Sequence, residues 1–208
     1  MLYRDTAILL YAKAPIAGKV NTRLIPDIGE PAATQLQYDL IHQRMQMLTD
    51  ANLCDVILMC ALDIEHECFL RCQQDYPVML KEQSGGDLGA RIIDGVVSAL
   101  ESYKHCIVIG SDAPALTATD IQQAIETLRK KTDVVFVPAE DGGYVLVGLN
   151  RPYTCLFADI DWGTPEVLQQ SRDVLMRQNI AFEELATCWD VDRLADYERY
   201  MQMLGDQK

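Results

Sequence analysis

A chain of 208 residues, 49% of them hydrophobic, has the length of one domain and enough apolar material for a packed core, which excludes a disordered polymer. Its formal net charge of −13 argues against general nucleic-acid binding, because a polyanion would be repelled. No apolar run approaches the roughly 18 residues of a membrane span, and Ala7–Ala12 is too short for the core of an export signal. Residues 1–208 are therefore expected to form a single cytoplasmic domain.

The elements follow from apolar periodicity and turn residues. Thr6–Ala12 reads as a buried strand, and Lys13–Gly29, with Pro15, Gly18, Pro26 and Gly29, as a long shaped loop. Pro31–Asp50 has helical spacing, with Leu36, Leu40, Ile41, Met45 and Leu48 on one side. A strand at Asp55–Cys60, a short helix at Ile64–Gln74 and a strand at Val78–Lys81 come next. The glycine-rich turn Gln83–Gly89 opens a helix running to about Ser102, and Cys106–Gly110 is a further buried strand. Thr117 with Asp120 fits a capping box at the start of a helix. Strands at Val134–Pro138 and Val145–Leu149 flank the tight turn Asp141–Tyr144. A helix at Pro165–Gln178, a short strand at Ala181–Leu185 and a helix at Arg193–Leu204 complete the chain. Strands that alternate with helices predict an α/β fold, with a mostly parallel central sheet covered on both faces.

In such sheets, ligands bind beyond the carboxyl ends of the strands. Charged residues and glycines occupy those ends here: Lys13, Gln83 and Asp87, Ser111-Asp112, and Glu140-Asp141. Between Thr6 and Pro26 the chain carries Lys13, Lys19 and Arg23 and no acid, so a basic loop stands out against an acidic protein. Such a loop suits phosphate groups, although it is neither a P-loop nor a GxGxxG fingerprint. Asp112 directly follows a buried strand, where it either caps the turn or helps hold Mg²⁺ or Mn²⁺. Asp141-Gly142-Gly143 reads as a hairpin turn, or as a place where a substrate approaches the backbone beside Asp141. Trp189-Asp190-Val191-Asp192 sets two carboxylates two residues apart; one could complete a metal site, while Asp192 could also cap the following helix. Thr164 before Pro165 reads as another helix cap.

The seven cysteines are odd in number and irregularly spaced. Cys60, His66, Cys68 and Cys72 lie close in sequence, but without a paired CxxC they read as reduced, mostly buried thiols rather than a zinc site. His42, His66 and His105 show no partner pattern.

The blocks AKAPIAGKVNTRL (12–24), DLGARI (87–92), VIGSDAPAL (108–116), VPAEDGGYVLVGL (137–149), DWGTPEVL (161–168) and DVDRLAD (190–196) together resemble an uncharacterised bacterial family of GT-A-type transferases. That family is described as glycosyltransferases or nucleotide-diphospho-sugar transferases, and is similar in fold to the guanylyltransferases acting on phospholactate and the molybdenum cofactor. The resemblance implies a Rossmann-like GT-A fold, a nucleotide-activated donor, a small-molecule acceptor and a divalent metal. By motif position, Lys13, Lys19 and Arg23 would meet phosphates, with Asp87, Gly142 and Gly143 also at the substrate. Asp112 would bind metal, and Asp141 and Asp192 would supply the second metal ligand or activate the acceptor. The family pattern has Lys-Thr-Arg-Leu where this chain has Asn21-Thr22-Arg23-Leu24, one cation fewer. The expected reaction is glycosyl transfer from a nucleotide sugar. The alternatives are nucleotidyl transfer from a triphosphate and a nucleotide-binding regulator without turnover.

Overall fold

The computed structural model describes residues 1–130 and 132–206. Seven strands form one sheet: β1 (Thr6–Lys13), β2 (Asp55–Ala61), β3 (Val78–Glu82), β4 (His105–Gly110), β5 (Val134–Pro138), β6 (Tyr144–Leu149) and β7 (Phe182–Glu184). Their order is β3-β2-β1-β4-β6-β5-β7. The β1–β2, β2–β3, β1–β4 and β5–β7 pairs are parallel, whereas β6 runs antiparallel to both β4 and β5. The alternating pattern anticipated the strands and the mostly parallel sheet. It did not reveal the reversal of β6, which the short β5–β6 hairpin makes possible because antiparallel neighbours need no crossover helix.

The helices are α1 (Ile25–Ile28), α2 (Glu30–Ala51), α3 (Glu67–Asp75), α4 (Leu88–Leu100), α5 (Ala118–Arg129), α6 (Val167–Arg177) and α7 (Leu194–Asp206). Alternate residues of β1 point to opposite faces, as a pleated strand requires. Ile8, Leu10 and Ala12 pack with Ile41 and Met45 of α2, Phe69 of α3 and Ile121 of α5. Ala7 and Leu9 pack with Ile92 and Val96 of α4 and Leu168 and Leu175 of α6. A smaller cluster joins Leu24, Leu36 and Leu40 to Trp189, Val191 and Tyr200, and so fastens the last part of the chain against the first loop and α2.

Several local expectations are met by side-chain geometry. Thr117 and Asp120 form the reciprocal capping box of α5, and Pro31 sits in the first turn of α2. Others are corrected. The helix expected from Pro165 begins at Val167, and the Thr164 hydroxyl donates to the Asp161 carbonyl at 2.7 Å instead of capping it. Asp192 does not cap α7 with its side chain; Asp196 accepts from the Asp192 and Arg193 amides at 3.3 and 2.8 Å. The first loop also contains the unanticipated one-turn helix α1. No helix among the described residues is long and apolar enough to cross a membrane.

Candidate active site

The strand order places a switch point at β1, whose neighbours β2 and β4 are reached by connections leading to opposite sides. A cavity of about 510 Å³ opens there, beyond the carboxyl ends of β1 and β4 and beside the β5–β6 turn. Lys13, Asp87, Asp112, Asp141 and Gly143 line it, so four separate segments meet in one cleft. Lys19, Arg23, Gly142 and Asp192 are not among its lining residues.

Asp112 is placed by backbone rather than by chance. The Ser111 amide donates to the Tyr11 carbonyl at 3.2 Å, which ties the turn after β4 to the end of β1. The Asp112 carboxylate folds back over Gly110, where a Cβ would stand 2.3 Å from its Oδ1. Asp112 lies deep among protein atoms, yet its surface opens on to the cleft. Loss of hydration pushes its carboxyl above the ordinary range, and the charges of Arg44 and Lys13 act in the opposite sense.

The segment after Cys188 then delivers a further carboxylate. The Val191 amide donates to the Asp112 carbonyl at 2.8 Å, which brings Asp190 to the cavity wall. Burial, then the charges of Asp112 and Asp141, push Asp190 up to about 7. Asp192, two residues on, is drawn away: Arg23 Nη1 lies 2.7 Å from its Oδ2 and Arg193 Nε lies 3.3 Å from the same oxygen.

Asp141 stands exposed in the β5–β6 hairpin, and its Oδ1 accepts the Gly143 amide at 2.9 Å. Gly142 has φ +94°, and a Cβ there would meet the Pro165 carbonyl oxygen at 2.2 Å. The turn is a hairpin, and it places Asp141 on the cleft wall. Asp87 caps α4 by accepting the Ala90 amide at 2.8 Å while also lining the cavity.

The carboxylates do not all converge on one point. The group of three potential ligand atoms found within 4.8 Å of one another among the described residues is His42, Cys68 and Cys72. An oxygen-seeking cation in the cleft would thus take one or two carboxylates and complete its shell with phosphate and water, the common arrangement for Mg²⁺.

The DUF2064 description, "Uncharacterized protein conserved in bacteria", matches residues 44–164, more than half of the 208-residue chain. The chain belongs to the DUF2064 family. No curated protein matches it. Among solved structures, this DUF2064 chain is similar to a protein from Desulfovibrio desulfuricans G20 described as a "putative nucleotide-diphospho-sugar transferase". The TM-score is 0.82 and the identity 28%, over 91% of this chain and 83% of that one. A nucleotidyl transferase from Methanothermobacter thermautotroptrophicus shares the fold at TM-score 0.66 and 12% identity, over 98% of this chain and 99% of that one. A 4-diphosphocytidyl-2C-methyl-D-erythritol synthase from Anaerococcus prevotii DSM 20548 shares it at 0.64 and 8%, over 96% and 99%. The fold is that of α/β nucleotide-diphospho-sugar transferases.

The DUF2064 cleft also holds residues that the sequence did not single out. Gln37 of α2 is buried and donates to the Lys13 carbonyl at 3.2 Å and the Ser111 hydroxyl at 3.4 Å. Arg91 adds a second cation to the lining, and Tyr144 and Trp162 add an aromatic wall, their rings 6.3 Å apart. Arg44, 4% exposed, donates from Nη1 to the Leu116 carbonyl at 2.5 Å and from Nη2 to the Ala113 carbonyl, which props up the Asp112 turn from below. Arg44 was detectable: it falls in the gap of the stripe formed by Leu36, Leu40 and Leu48.

Proposed function

We propose that this DUF2064 protein is a transferase that uses a nucleotide-activated donor, and that it transfers a glycosyl group from a nucleoside-diphosphate sugar to a small-molecule hydroxyl. The observation that carries the reading is the facing of Lys13 and Arg91 against Asp112, Asp141 and Asp190 across one cleft at the sheet's switch point. The 28% identical neighbour, with its nucleotide-diphospho-sugar transferase description, supports it.

Lys13 and Arg91 are suited to the diphosphate, because ammonium and guanidinium groups make charge-assisted hydrogen bonds to phosphate oxygens. The donor set fits a hard divalent cation, Mg²⁺ or Mn²⁺: it is all oxygen, and two of its members, Asp112 and Asp190, are held above the ordinary carboxylate range until positive charge arrives. When bound, such an ion neutralises charge that develops on the diphosphate leaving group. Asp112 and Asp190 are its proposed holders. Asp141, at the rim and oriented by the Gly143 amide, would accept the proton of the acceptor hydroxyl as that oxygen attacks. Trp162 and Tyr144 would exclude water from one side of the sugar.

Nucleotidyl transfer from a triphosphate is the second reading, and the charge balance weighs against it. The cleft is lined by two cations, Lys13 and Arg91, against four carboxylates, Asp87, Asp112, Asp141 and Asp190. Arg23 is spent on Asp192, and the Asn21 amide is spent on the Ala33 carbonyl at 3.0 Å. A triphosphate asks for more positive charge than a diphosphate.

A thermal-shift panel tests the proposal, because a ligand that binds only the native state raises its apparent stability. Nucleoside-diphosphate sugars with Mg²⁺ or Mn²⁺ should stabilise the protein more than nucleoside triphosphates do. The reverse order would favour nucleotidyl transfer, and no response to any nucleotide would overturn both readings.

A further inference from the structure

Away from the cleft, α3 and α2 bring together a second set of ligand atoms of a different chemistry. Cys68 and Cys72 are four residues apart on α3, so their side chains share one helix face, and both are fully buried. From α2, His42 turns its ring toward them: Nε2 lies 3.9 Å from the Cys68 Sγ and 4.0 Å from the Cys72 Sγ. All three atoms lie within 4.8 Å of one another. His66, the histidine nearest in sequence, is engaged elsewhere, because its Nδ1 accepts the Cys68 amide at 3.2 Å as the cap of α3.

We propose that Cys68, Cys72 and His42 form a binding site for one thiophilic divalent cation, Zn²⁺, separate from the nucleotide cleft. The observed spacing is near what the ion needs. Zinc–sulfur bonds of about 2.3 Å and zinc–nitrogen bonds of about 2.0–2.1 Å at tetrahedral angles put sulfur about 3.6 Å from nitrogen and about 3.8 Å from sulfur. Bringing the His42 nitrogen to each sulfur at that spacing therefore takes movements of a few tenths of an ångström. The charge also closes: two thiolates cancel one divalent ion, and the two displaced thiol protons pass to solvent. Nε2 is the ring nitrogen turned toward the two sulfurs, and it is the atom that would be given to a metal.

The surroundings orient the set. The Tyr38 ring packs at a tilt with its centroid 4.3 Å from that of His42, and the Tyr76 ring, at the end of α3, stands 6.1 Å away, so two aromatic rings pack around the imidazole. Three protein ligands leave a fourth tetrahedral position, which suits a water molecule. None of the three residues lines the nucleotide cavity, and a hard ion such as Mg²⁺ has no preference for sulfur.

Titration of the reduced, chelator-treated full chain with Co²⁺, followed by Zn²⁺, tests the site. One equivalent of Co²⁺ should produce a thiolate-to-metal charge-transfer band and the strong visible bands of a tetrahedral ion, and one equivalent of Zn²⁺ should abolish both. Cys72→Ser should lower the charge-transfer intensity at this stoichiometry by half or more, and His42→Gln should weaken Co²⁺ affinity at least tenfold. His42→Gln acts at a half-buried position, so it keeps the test decisive if Cys72→Ser fails to fold. Absence of the band in the native protein, or a band unchanged in His42→Gln, would overturn the assignment. Nucleotide binding is read separately and does not enter this result.

Discussion

Arg23 and Asp192 close a 2.7 Å ion pair between the first loop and the segment that follows Trp189. The pair occupies two side chains that motif position assigns to phosphate and metal, and it leaves Asp190 as the carboxylate on the cavity wall. Because the partners are 49% and 37% exposed, the pair is worth at most about 1 kcal/mol. Asp192→Asn should therefore change metal-dependent turnover of the donor by less than about fivefold. Asp190→Asn should lower it by about 10²-fold or more, the several kcal/mol a bound cation supplies. Steady-state rates of the two variants under saturating Mg²⁺ check the contrast, and equal losses would refute it.

Asp190 also sets a pH dependence. Its carboxyl titrates at about 7 in the folded protein against 3.8 ordinarily, chiefly through burial and then through Asp112 and Asp141. Folding thus favours the protonated form. The stability this group contributes is fully present below about pH 4 and is lost as pH rises through about 7. Without divalent metal, the melting temperature of the native protein should fall relative to Asp190→Asn between pH 5 and 8. Melting curves across that range measure the difference, and parallel curves would contradict the assignment.

Gly110 tests the placement of Asp112. In Gly110→Ala the new methyl would stand 2.3 Å from the carboxylate oxygen, so the Asp112 side chain must rotate. A displacement of about 1 Å costs about 10²-fold in rate. Turnover should fall by that order, with a much smaller change in melting temperature. Unchanged turnover would separate Asp112 from the chemistry.

Arg44 supports the same turn from beneath. Arg44→Met leaves the Ala113 and Leu116 carbonyls without their donor, at a cost of about 2–4 kcal/mol. It also removes a charge that lowers the Asp112 pKa. Chemical denaturation should show the loss, and the activity profile should shift to higher pH as Asp112 becomes harder to ionise.

The strands were legible because β1, β4 and β5 are unbroken apolar runs, and the start of α5 because Thr117 and Asp120 carry a local hydrogen-bond code. The candidate site was half legible. Lys13, Asp112 and Asp141 follow strand ends, which are known once the strands are known. The choice between Asp190 and Asp192 was not, since an extended reading puts both on one face, and the pairing that draws Asp192 to Arg23 joins residues 169 apart in sequence. His42 was invisible for the same reason: its partners Cys68 and Cys72 are 26 and 30 residues on, across a helix packing that no spacing encodes.

Electron paramagnetic resonance of Mn²⁺ tests the central claim most directly. In the presence of a nucleoside-diphosphate sugar, the native protein should bind one Mn²⁺ and suppress the signal of the free ion, and Asp112→Asn should leave that signal in place at the same concentrations. Equal Mn²⁺ binding by the two proteins, or none by the native one, would contradict a metal–diphosphate cleft built on Asp112.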